Sequence, residues 1–119
     1  MKERELKDKF NTYILQKGYR IVKEFVNNPP DIIIEKDGNY TAVELKGSGR
    51  PSIFGVSVGQ LLFAKSKYNI NDLWLVLPRV PQFSSKEWVI LLLKLGIRIF
   101  YYSNGGFTEF SVESWKRRF

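Results

Sequence analysis

The residues best equipped for chemistry in this chain are Asp31, Glu44 and Lys46. Two carboxylates and an ammonium are the parts needed to hold a divalent cation beside a phosphodiester and to activate water. Their geometry follows from the turn between them. Asp37-Gly38 is a two-residue hairpin signal of the I′ type. It predicts a strand over Asp31–Lys36 joined to a strand over Asn39–Lys46. The numbers of paired residues in such a hairpin have a constant sum, so Lys36 opposite Asn39 puts Asp31 opposite Glu44.

Cross-strand partners point to one face, with Cβ atoms roughly 4.5–5.5 Å apart. Lys46 lies two residues beyond Glu44 and shares that face. Like charges set opposite each other repel, and a bound cation or the Lys46 ammonium relieves the repulsion. A turn at Gly38-Asn39 instead slips the register by one pair yet leaves all three side chains on one face. The other face reads Ile32, Ile34, Val43, Leu45, which is core.

Other elements must hold this hairpin. Residues 2–17 predict a helix, with Leu6, Phe10, Tyr13 and Ile14 at helical spacing and Gly18 past its end. On a helical wheel Glu3 falls within about 40° of that apolar stripe, whereas Glu5 points about 125° away. Tyr19–Val26 predicts a strand, ended by Asn27-Asn28-Pro29-Pro30. Residues 47–52 read as a polar loop beside the acids, and Val56–Tyr68 as a second helix. Leu73–Leu77 is a continuous apolar run, as in a central strand buried on both faces. Ser84 and Glu87 form a capping box for a helix through Leu95, with Trp88, Leu91, Leu92 and Leu95 on one stripe. Ile97–Tyr102 predicts a strand, and Asn104-Gly105 a turn into Phe107–Phe110. The order is αβββαβαββ, a single α/β domain over residues 1–119 with a mixed sheet flanked by helices.

Pro30-Asp31…Glu44-Leu45-Lys46 resembles the signature of the PD-(D/E)XK nuclease superfamily, the restriction-endonuclease-like fold. The element order supports the resemblance from residue 2 to about residue 102. It implies an αβββαβ core, here with a C-terminal helix and hairpin added. Glu3-Arg4-Glu5-Leu6 is similar to the start of archaeal Holliday junction resolvases, in which a first-helix acid joins the metal site. Glu3 is the aligned position and Glu5 the alternative. The resemblance implies Mg²⁺, or Mn²⁺ in its place, held by Asp31, Glu44 and the Leu45 carbonyl. Lys46 then orients the attacking water. Gln60 stands where many members carry a helix glutamine that contacts the site. Ala64 departs from the RecB-type pattern, which has Tyr there.

Composition narrows the classes further. The chain has no histidine and no cysteine, which excludes Ser-His-Asp and Cys-His nucleophiles, HEXXH metal sites and disulfide frameworks. Hydrolysis must then run on carboxylates, Lys, Tyr or water on a metal. Net charge is +7 and the isoelectric point near 9.7, a footprint suited to a polyanion. Arg50, Lys65, Lys67 and Arg79 are the phosphate-contact candidates. The run Trp88–Leu93 is too short to span a bilayer, and Met1–Glu5 carries no apolar leader. The expected setting is cytoplasmic, without membrane or nucleotide cofactor, and with DNA as partner.

Three functions compete. The first is a metal-dependent DNA endonuclease, with junction resolution its most specific form; that form requires a homodimer. The second is a non-catalytic DNA-binding module or a subunit of a larger nuclease complex. The third is a protein-interaction domain, for which only the apolar third helix speaks. The basic, aromatic end Trp115–Phe119 is either a base-stacking tail or a frayed terminus.

Overall fold

A computed structural model describes residues 1–48, 50–81 and 86–111 of the chain. The Asp37-Gly38 turn forms as its residue types demand. Asp37 and Gly38 have φ of 55° and 81°, the paired positive values of a I′ turn. It joins β2 (Ile32–Lys36) to β3 (Asn39–Leu45), with Lys36 opposite Asn39 and Ile32 opposite Val43. Asn104 and Gly105 repeat the device, with φ of 50° and 80°, between β5 (Ile97–Ser103) and β6 (Gly106–Phe110).

With β1 (Arg20–Glu24) and β4 (Asp72–Leu77), these strands form one six-stranded sheet in the order β1-β2-β3-β4-β5-β6. The β3–β4 and β4–β5 pairs are parallel and the others antiparallel. Parallel neighbours need crossovers. Here these are α2 (Pro51–Tyr68) and α3 (Lys86–Lys94).

The period of two in each strand sorts the side chains into two cores. Ile32, Ile34, Val43, Leu45, Trp74 and Val76 meet Leu6, Phe10 and Ile14 of α1 (Glu3–Gln16). On the other face Ile33, Ala42, Leu73, Leu75 and Leu77 meet Phe54, Leu61 and Ala64 of α2 and Leu92 of α3. Strand β4 is buried on both faces, as its apolar run requires. The result is an α/β sandwich with helices on both sides of a mixed sheet. Among the described residues no helix is long and apolar enough to cross a membrane.

Some boundaries differ from the sequence reading. Helix α2 begins at Pro51, so the expected 47–52 loop is cut short. Proline has its φ preset for the first helical position, where no N–H is needed, and Phe54 and Ser57 in the early turns are fully buried. Strand β1 stops at Glu24, and Val26 is 94% exposed. In α3 the stripe is narrower than expected: Leu92 is buried and Trp88 and Leu95 partly so, but Leu91 is exposed. The capping Ser84 and the Trp115–Phe119 tail lie outside the described residues.

Candidate active site

The hairpin register carries Asp31 to Glu44, with one local change. The paired ladder ends at Ile32–Val43, and Asp31 folds onto β3 immediately beyond it. Its N–H donates to the Val43 carbonyl at 3.0 Å. Its Oδ2 accepts the Leu45 N–H at 2.7 Å. Asp31 is thereby tied to the backbone on both sides of Glu44.

Glu44 follows Ala42 on the face that α2 covers, and it is 1% exposed. Lys46 Nζ stands 3.5 Å from its Oε2. Its Oε1 is buried with no hydrogen-bond partner among the described residues. Burial, and then the charge of Asp31, push the Glu44 carboxyl up to about 8, while Lys46 pulls the other way. A buried carboxylate needs donors or a cation, and one ammonium at this distance is too little for it.

Glu3 enters from the opposite layer. It opens α1 at the same end of the sheet, where Gly47 passes so close that a Cβ there would lie 3.6 Å from Glu3 Cβ. Glu3, Arg4, Lys7, Asp31 and Leu45 line a cavity of about 270 Å³. Partial burial and then Asp31 raise the Glu3 carboxyl above its ordinary value, against the opposing pull of Lys46. Glu5 is exposed and does not line that cavity. Among the described residues, no three acids close into a cluster of metal-binding spacing. Glu3 is thus a neighbour of the Asp31–Glu44 pair at longer range.

The remaining candidates divide by position. Gln60 lies on α2, which packs over β3, and its Oε1 is another buried acceptor without a partner among the described residues. Arg50 immediately precedes α2 at the site end, where its N–H donates to Ser48 Oγ at 3.1 Å. Arg79 is exposed beyond the end of β4, which runs parallel to β3 and so finishes on the same side. Lys65 and Lys67 occupy the last turns of α2, about 20 Å along the helix from its start. The fold separates them from the acids, because a crossover helix must run back to the far end of the sheet. Lys67 instead covers the rings of Phe63 and Tyr68 at 5.6 and 5.5 Å.

Sequence reasoning passed over Arg4 and Lys7, which line the cavity. A signal was present: Lys7 follows Glu3 by four residues and so shares its helix face.

Two carboxylates and a backbone carbonyl near the end of β3 are oxygen donors of the kind a hard divalent cation takes, with the Lys46 ammonium beside them. Such ions take oxygen ligands and keep several waters. The buried Glu44 Oε1, without a hydrogen-bond partner among the described residues, is the feature that the fit rests on.

No protein-family model matches the sequence, and no curated protein matches it. Among solved structures the chain is similar to the crystal structure of a repair endonuclease from Pyrococcus abyssi. That similarity has 20% identity and a TM-score of 0.53, over 82% of this chain and 44% of that chain. A looser similarity is to the structure of Pyrococcus furiosus SfsA in complex with Ca²⁺, with 17% identity and a TM-score of 0.43, over 90% of this chain and 58% of that one. The chain spans roughly half the length of these two proteins. The first likeness is one of fold: a six-stranded mixed sheet flanked by helices, consistent with the α/β restriction-endonuclease-like fold.

Proposed function

We propose that this protein is a divalent-cation-dependent deoxyribonuclease that hydrolyses DNA phosphodiesters through the Asp31–Glu44–Lys46 site. The observation that carries the proposal is Glu44: fully buried, one oxygen without a donor among the described residues, beside a second carboxylate. A structural role gives no reason to keep such a group, since glutamine or an apolar side chain of similar size avoids the cost.

Asp31, Glu44 and the Leu45 carbonyl would hold Mg²⁺ or Mn²⁺. The ion supplies Lewis-acid polarisation of the phosphate and a lowered pKa for water. Lys46, tethered to Glu44 at 3.5 Å, orients the attacking water and balances charge that develops on the phosphate. Glu3 would add a ligand from the α1 side, directly or through water. Gln60 offers a further acceptor on the α2 side. Arg50 and Arg79 would meet flanking phosphates at this end of the sheet. Lys65 and Lys67 suit only a strand that passes over the far end. The net charge of +7 supports DNA as the partner.

Junction cleavage by a homodimer is the finer form of the proposal. Glu3-Arg4-Glu5-Leu6 and the exposed side chains of Ile90, Leu91 and Leu93 on α3 support it. The test is cleavage of four-way junctions, duplexes and single strands with and without Mg²⁺, using separated monomer and dimer fractions. D31A is the control. Cleavage that survives D31A or E44A, or that needs no metal, refutes the site. Salt-sensitive binding without any cleavage favours the non-catalytic module.

A further inference from the structure

On α1, Glu3, Lys7 and Asn11 recur every four residues, so they form one line along the helix flank. That line runs beside the end of the edge strand β1. Lys7 Nζ lies 3.8 Å from Glu24 Oε2, and Asn11 Nδ2 donates to Glu24 Oε1 at 3.3 Å. Lys7 also lines the cavity that contains Asp31 and Glu3. It is therefore a cation at the mouth of the acid site, drawn aside by a carboxylate that belongs to no other part of that site.

We propose that Lys7 is a second phosphate anchor for the substrate strand, held in reserve by Glu24 until DNA arrives. The inference rests on the nuclease reading of Asp31 and Glu44 and adds a positioning residue to it. Lys46 covers the scissile phosphate from the α2 face. A strand crossing the sheet end must then pass the α1 face, where Lys7 stands one helical turn, about 6 Å, from Glu3. Phosphates along a strand of duplex recur every 3.4 Å or so of axis, so a neighbouring phosphate falls within the arc of a lysine side chain. Little opposes the exchange. The Lys7 and Glu24 side chains are 34% and 45% exposed, and ion pairs so open to water are weak. Glu24 keeps the Asn11 amide when Lys7 leaves, so no carboxylate is stranded.

DNA binding in EDTA, where no cleavage occurs, tests this across a range of salt for the full chain, K7Q, K7R, E24Q and K7Q/E24Q. K7Q is expected to reduce the slope of log affinity against log salt by about one, and to weaken binding about eightfold near 0.1 M salt. K7R is expected to restore both. E24Q is expected to tighten binding in the parent and to do nothing in the K7Q background. In Mg²⁺, K7Q should raise KM and leave kcat alone. A folded K7Q protein with the parental slope overturns the anchor, as does an equal gain from E24Q in both backgrounds. Parental cleavage in Mg²⁺ alongside either result leaves the nuclease reading standing. A parent that never cleaves overturns that reading, and the role of Lys7 with it.

Discussion

Two of the clusters of acids and bases on this sheet, one at each end of β3, are built to opposite rules. At the N-terminal end of β4, Asp72 Oδ2 accepts the Thr41 hydroxyl at 2.6 Å and its Oδ1 the Trp74 indole N–H at 3.0 Å. Arg98 stands 3.9 Å away and makes two bonds of 2.8 Å to Glu109. Each of these carboxylates has its donors. The Glu109 carboxyl is correspondingly held below its ordinary value by Arg98. At the other end of β3, Glu44 is more deeply buried yet, among the described residues, has one ammonium near Oε2 and no partner for Oε1, and its carboxyl is pushed up. A filled cluster stabilises the sheet that holds it. An underfilled one costs stability and is kept where something else completes it.

The largest effect that would break this contrast is on catalysis. D31A and E44A are expected to lower metal-dependent cleavage at least about 10²-fold, while D72A leaves the rate within about twofold. Initial rates on one DNA substrate compare the three. Equal losses would mean that both clusters are structural.

Stability against pH separates the clusters next. The folded Glu44 carboxyl is raised from 4.5 to about 8, so this group costs the metal-free fold nothing below about pH 4.5. The cost grows as pH rises toward 8, to roughly 4–5 kcal/mol. Mg²⁺ should offset much of it, and E44Q should abolish the slope. Glu109 works in reverse: its contribution is present above the ordinary carboxylate pKa and fades as pH falls through the lowered one. Chemical denaturation at several pH values, with and without Mg²⁺, reads both signs.

Smaller changes sharpen the comparison. E44Q is expected to stabilise the metal-free protein at pH 8 while D72A destabilises it by about 1–3 kcal/mol, because the Thr41 and Trp74 donors lose their acceptor. The smallest effect belongs to E109Q, which disturbs a largely exposed pair and should cost less than about 1 kcal/mol. Thermal melts rank all three.

Much of the site is legible in the sequence. Asp37-Gly38 and Gly38-Asn39 both put Asp31 and Glu44 on one face, and the structure adopts the Asp37-Gly38 turn, with Lys36 opposite Asn39. Glu3 can be chosen over Glu5 because only one of them lies near the apolar stripe of α1. Two things are not legible there. The polar run 47–52 conceals the start of α2, because Gly, Ser and Pro read as loop until Phe54 and Ser57 find a core to enter. Lys65 and Lys67 look close to the acids because sequence order does not say which end of a crossover helix returns to the site.

Local chemistry by itself therefore determined the hairpin, its register, the helix stripes and the residue types available for catalysis, since each depends on neighbours a few positions apart. Tertiary structure decided the rest. It placed α2 over Glu44 and so removed that carboxylate from water, and it brought Glu3 and Lys7 to Asp31 from the opposite layer. Burial and long-range charge arise only when distant segments meet, so no pattern within one segment could encode them.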